Sequence, residues 1–191
     1  MLNIFRAPLT LWMAWSVAGL VIAEENLIDF ESAEIGKPTV QWEDKGVVFE
    51  LAHAPTKSKA KGRVMFFPHL GTQRKGILNA MANEAIPVRV TFPRPAETVK
   101  LTLWGSTTSA ALVEAFDAEG NLIAQAGLDQ VPVRKRPEEH IPFFDLSVSA
   151  KHIAYLHISG SQPGGFVAVD ELRWSYPAAP ATAVIRTPPK P

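Results

Sequence analysis

The 191-residue sequence has no cysteine, only two tyrosines and no excess of either charge, with 19 Lys and Arg against 19 Asp and Glu. Without cysteine there is no disulfide framework, no thiolate ligand for zinc and no lipid-modified N-terminal cysteine. The balanced charge gives no reason to expect nucleic acid as a partner. The histidines, His53, His69, His140, His152 and His157, fall at no spacing typical of zinc ligands. No G-x-S-x-G marks a nucleophile, and the glycine-rich SGSQPGG lacks both the Lys-Ser/Thr and the following helix of a phosphate loop. No set of residues reads as catalytic, so a non-enzymatic protein is expected. Helical periodicity is confined to one short stretch, GILNAMANEA at 76–85.

One long apolar run is present, from Ala7 to Ala23, preceded by Arg6 and interrupted by Thr10, Ser16 and Gly19. It closes on Val21-Ile22-Ala23, the small-residue pattern that a signal peptidase reads, and acids follow at once. Residues 1–23 therefore read as a secretory signal peptide, at the short limit of what could span a bilayer. A secreted or periplasmic protein, not membrane-spanning after cleavage, is the expectation. At the other end, residues 177–191 run PAAPATAVIRTPPKP, a Pro- and Ala-rich segment expected to stay extended and disordered. Between the two, residues 24–176 have the length of one domain with a full core.

Within that domain side chains alternate in polarity with period two, the mark of half-buried strands. Ile86, Val88, Val90 and Phe92 oppose Pro87, Arg89 and Thr91; Val99, Leu101 and Leu103 oppose Lys100, Thr102 and Trp104; Val47, Phe49 and Leu51 share a face. Further strand candidates are 27–31, 63–67, 110–116, 121–126, 143–148, 152–159 and 166–174. Turn chemistry separates them: a hairpin at Asp117–Asn121 with Gly120 free to take a positive φ, a connector at Gly160–Gly165, and Pro93-Arg94-Pro95. About ten short strands in one domain predict an all-β fold, an antiparallel β-sandwich.

The last strand raises a question of its own. In FVAVDELRW, regular alternation puts Phe166, Ala168, Asp170, Leu172 and Trp174 on one face, an apolar stripe with a carboxylate in its middle. An unpaired carboxylate in a core costs several kcal/mol or is driven neutral. Hydrogen bonds from backbone or hydroxyl, a base from elsewhere in the chain, or a bound cation would each hold it. A bulge that changes the register would instead expose it.

Taken in order, several phrases resemble the galactose-binding-like jelly rolls, the fold of many non-catalytic carbohydrate-binding modules of secreted bacterial proteins. They are Asp29-Phe30-Glu31-Ser32 with Gly36 and Trp42 soon after, then PVRVTFPRPAETVKLTLWG, AFDAEGNLIA and the closing FVAVDELRW. The resemblance covers most of residues 26–175 and implies a sandwich of jelly-roll type with its first and last strands side by side. It also implies a structural Ca²⁺ held there by Glu31 and Asp170, with Asp29 or its neighbours adding backbone oxygens. The chain departs from many relatives in carrying Asp170-Glu171 where they have two adjacent Asp residues.

A module of this kind would recognise a glycan or another cell-envelope surface component. Flat aromatic rings are the usual support for a sugar face. Trp174 shares a face with core residues. Trp104, beside Lys100 and Thr102, and Trp42, in the polar stretch QWED, are the expected ligand contacts. Two rivals stand beside this reading: an envelope assembly protein that docks through its Pro-rich tail, and a jelly-roll hydrolase or lyase.

Overall fold

The computed structural model describes residues 25–56, 62–81, 84–105, 110–136, 138–160 and 166–178. The expected signal peptide, nearly all of the Pro-rich tail and the 161–165 connector lie outside the described residues. Ten strands form among the described residues: β1 Glu25–Ile28, β2 Gln41–Asp44, β3 Val47–Leu51, β4 Val64–Pro68, β5 Lys75–Asn79, β6 Val88–Gly105, β7 Ala111–Phe116, β8 Leu122–Leu128, β9 Phe143–Ser159 and β10 Val167–Ser175. Every pairing between them is antiparallel. Among the described residues no helix is long and apolar enough to cross a membrane.

Two long strands build the sandwich, because β6 and β9 each run through both layers. Val88–Thr91 of β6 pairs with Tyr155–Ile158 of β9, and Thr98–Trp104 pairs with Phe143–Ser149. Around the first of these half-ribbons the order is β2-β3-β6-β9-β7-β8; around the second it is β4-β5-β10-β6-β9, with β1 also on β10. Register slips between Thr91 and Ala96 and again before Thr98, while His152 opposite takes a left-handed φ of 67°. Such bulges bend a strand pair and sharpen its twist, which lets one ribbon turn the corner between two sheets. Pro93-Arg94-Pro95, expected to separate two strands, is that corner. Proline is tolerated there because no ladder N–H is required of it. The two candidate strands at 143–148 and 152–159 are likewise one strand.

The inner faces meet in a single apolar core. Val88, Val90, Phe92, Val99, Leu101 and Leu103 of β6 lie in it, against Phe49 of β3, Leu146 and Leu156 of β9 and Trp174 of β10. Trp42 closes one end on Phe30, Phe49 and Phe66, ring centroids 5.0–5.4 Å away. Each such side chain contributes roughly 1.5–3 kcal/mol by leaving water. Tight turns fix the register. Lys45 and Gly46 both have positive φ (50° and 75°) in the two-residue β2–β3 hairpin, the backbone that matches strand twist. Gly120 has φ 87° in the expected β7–β8 hairpin, where Asp117 accepts from the Asn121 backbone (2.8 Å) and amide (2.9 Å).

Two expectations are corrected here. The described residues of the stretch 76–85 form no helix: the first of them belong to β5. Ile77 enters the main core and Leu78 a second apolar cluster on the other side of the sheet. Asn79 then ties the turn, its amide nitrogen donating to the carbonyls of Glu84 and Ile86, both at 2.9 Å. Trp104 does point away from Leu101 and Leu103, as alternation requires, yet it is fully buried. The second cluster covers it: Phe166 and His69 stand edge-on to its ring at 5.3 and 5.0 Å, and Phe67 lies at 6.5 Å. Trp104 is a core residue of that outer layer and not a surface contact for a ligand.

Candidate functional site

Pairing of Glu25–Ile28 with Leu172–Ser175 places the first and last strands side by side, as expected. The neighbouring ladder shows how Asp170 is accommodated. Val169 faces Leu103 and Glu171 faces Thr102, so Asp170 is the extra residue of a β-bulge. Val167 and Val169 enter the main core before the bulge, and Leu172 and Trp174 enter it after. The continuous stripe expected from Phe166 to Trp174 therefore does not exist: faces exchange at Asp170. The bulge leaves Asp170 wholly buried and not exposed. Of the three ways to hold the charge, the chain uses a base. Arg74, just before β5, pairs with Asp170 and also meets Glu171 at 2.5 Å. Burial is the main reason the Asp170 carboxyl is pushed up to about 7; Arg74 opposes the shift, and Glu171 and Glu31 add to it.

The residues nominated for calcium can be tested against this geometry. Calcium takes about six to eight oxygens at roughly 2.3–2.6 Å. Around Glu31 the candidate oxygens already accept hydrogen bonds, whereas the buried Asp170 carboxyl meets the Arg74 charge without a well-formed hydrogen bond. Glu31 Oε1 accepts from the Lys75 backbone N–H (3.2 Å), and Lys75 Nζ donates to the carbonyls of Glu31 and of Ala33, the latter at 3.0 Å. Asp29 Oδ1 accepts from the Glu31 N–H at 3.2 Å, and the second oxygen of Glu171 meets Arg173 at 3.0 Å. Among the described residues no three His, Asp or Glu side chains gather as a metal group. The fold brings Glu31 and Asp170 into one neighbourhood, but around two cationic side chains, and the set does not fit a calcium cage.

A different arrangement lies on the outer face of the β2-β3-β6-β9-β7-β8 sheet. Cross-strand registers align Gln41, Glu50, Arg89, His157, Glu114 and Gln125 in one transverse row, and Glu43, Val48, Thr91, Tyr155, Phe116 and Leu122 in the next. All are exposed or half-buried. With strands about 4.8 Å apart, six positions span about 24 Å. A stack forms the middle: the Arg89 guanidinium lies 3.9 Å over the Tyr155 ring, and Phe116 stacks on Tyr155 at 4.9 Å with planes 9° apart. Because β6 and β7 flank β9, both faces of the Tyr155 ring are covered and its rim is left outward. Arg89 is further oriented by donating from Nε to Thr91 Oγ1 at 3.3 Å. His157 packs 4.9 Å from Phe116; burial first, then the charge of Arg89 and His53, holds its pKa below the ordinary value. At one end Glu50 and His53 also line a hollow of about 330 Å³.

Trp42, the other expected ligand contact, points inward from β2 and is half-buried. It lines a separate hollow of about 340 Å³ with Ser32, Glu34, Lys37 and Thr39. The residues of the open face were not singled out from sequence. Their signal was present: Arg89 and Thr91 share a parity, as do Tyr155 and His157.

No family model matches the sequence, and no curated protein matches it. Solved structures similar to this chain include CsCBM6-3 from Clostridium stercorarium in complex with cellobiose, at 14% identity and a TM-score of 0.36, covering 67% of this chain and 92% of that one. Another is the K1 cleaved adhesin domain of Lys-gingipain from Porphyromonas gingivalis W83, at 14% identity and 0.40, covering 80% and 98%. The N-terminal CBM22-1–GH10 modules of Clostridium thermocellum xylanase Xyn10B, complexed with xylohexaose, are similar at 11% and 0.38, covering 64% and 26%.

Proposed function

We propose that this chain is a secreted or periplasmic, non-catalytic binding module that lays a glycan, free or displayed on a cell envelope, across the outer face of the β2–β8 sheet. The two transverse rows carry the reading. Sugar hydroxyls both donate and accept, so a surface that recognises them offers both in alternation. Glu50 and Glu114 accept, Arg89 donates, and Gln41, His157 and Gln125 can do either. The adjoining row adds Val48, Tyr155 and Phe116, apolar rims against which the C–H edges of a sugar ring can pack. The length of the rows suits a chain of several sugars better than a single one. Nothing in this reading calls for catalysis.

The test is a broad glycan array with the mature protein, followed by calorimetry on each glycan retained. Arg89→Ala and Tyr155→Ala are expected to weaken binding without unfolding the domain. An array with no retained glycan, or variants that bind as the wild type does, would remove the reading.

A further inference from the structure

Lys75 and Arg74 occupy the seam between the chain's two ends in an unusual way. The Lys75 ammonium is held by two backbone carbonyls, those of Glu31 and Ala33, while its own N–H engages the Glu31 carboxylate. One residue earlier, the Arg74 guanidinium bridges Asp170 and Glu171 of the last strand and lies 5.0 Å from the centre of the Phe143 ring. Together the two side chains bring a charge of +2 to the oxygens that a divalent ion would otherwise need to bind. They are delivered by a single short segment. His69 anchors its start: fully buried, it bonds through Nε2 to the Ile141 carbonyl (2.7 Å) and through Nδ1 to the Thr72 hydroxyl (2.8 Å). The pairing of Val64–Pro68 with Lys75–Asn79 fixes both ends of the loop.

We propose that Arg74 and Lys75 are a built-in counter-charge that fastens the first strand phrase to the last strand, making the domain's stability independent of divalent cations. The β4–β5 loop is then a latch. Arg74 neutralises the carboxylate that the bulge has turned inward, and Lys75 gathers the carbonyls of the 31–33 turn. Removal of Arg74 leaves the buried Asp170 carboxylate without its base, and removal of Lys75 frees the part-buried Ala33 carbonyl, the first a more costly state than the paired one.

The experiment is thermal melting of the wild type in saturating CaCl₂ and in EDTA, with terbium luminescence as a direct probe of lanthanide and calcium sites. Superimposable melts and no sensitised terbium emission are expected. A calcium-dependent rise in melting temperature, or saturable terbium emission, would overturn the proposal. In parallel, Arg74→Gln should lower the melting temperature by roughly 10 °C and Lys75→Gln by less, with Arg74→Lys retaining part of the loss. Glutamine variants that melt with the wild type would show that the latch carries no stability and would equally overturn it. Since the calcium and terbium arms need no variant, they decide the question even if Arg74→Gln does not fold.

Discussion

Replacing Asp170 with Asn tests the account of the last strand through its pH dependence. Asn keeps the size of the side chain and cannot titrate. In the wild type the carboxyl, buried at the bulge, is pushed up to about 7 from an ordinary 3.8. An acid with a raised folded pKa holds its proton longer in the folded protein than in the unfolded one. Its contribution to stability is therefore greatest below about 4, declines as pH rises toward 7, and stays constant above that. The interval corresponds to about 4 kcal/mol at 1.36 kcal/mol per tenfold change. Asp145, held below the ordinary range chiefly by Lys100, and His69 and His157, lowered chiefly by burial, have opposite dependences. They occur in both proteins, so the difference between the two curves isolates Asp170. Urea unfolding from pH 4 to 8 gives each curve. Asp170→Asn should gain on the wild type by up to about 4 kcal/mol across that window and then level off. Parallel curves would refute the claim that a buried, titrating carboxylate lies at this position.

Trp104→Ala should cost about 3–5 kcal/mol of stability by denaturant titration, because Trp104 is fully enclosed, while leaving glycan affinity of the remaining folded protein unchanged. Arg89→Ala should weaken glycan binding by about 10- to 100-fold in calorimetry, the loss expected for hydrogen bonds to a charged group, with Tyr155→Ala acting in the same direction by removing the support under the guanidinium. His157, with its pKa held down by burial and by Arg89 and His53, contributes stability that is present above about 6.5 and lost as pH falls through its lowered folded value. His157→Gln should flatten that part of the melting profile, and an unchanged profile would count against a half-buried neutral imidazole.

Much of the fold was legible because its strands are amphipathic. Val88, Val90 and Phe92 could be assigned to a core face from their spacing alone, and Asp117–Asn121 with Gly120 could be assigned to a hairpin from turn chemistry. Trp174 was placed in the core for the same reason. Trp104 marks the limit of alternation. Period two gives its face, and a two-layer sandwich would leave that face to water. Here a third layer, built from Phe67, Phe166 and a buried His69, lies over it, and only the tertiary path of the β4–β5 loop and of residues 140–142 puts it there. The 76–85 stretch failed in a related way. Its apolar residues serve two clusters on opposite sides of one strand, which in a short window looks like a helix.

The partner of Asp170 and the open face are hidden from the sequence by one cause. Alternation is counted along one strand, and a bulge inserts a residue that exchanges the faces of everything beyond it. The local sequence of FVAVDELRW carries no mark of that exchange, because what stabilises the extra residue is Arg74, contributed by a strand pairing far away in the chain. The open face is assembled in the same manner: its two rows draw on β2, β3, β6, β9, β7 and β8, whose order across the sheet is not their order in the sequence. Arg89, Tyr155 and Phe116 become a stack only once β9 is inserted between β6 and β7. A sequence reading favours tryptophans, which are conspicuous one at a time, and Trp104 proves to be interior for that very reason, being large and apolar enough to fill a layer. A surface that binds by rows is instead made of individually ordinary residues, so the topology has to be known before it can be seen.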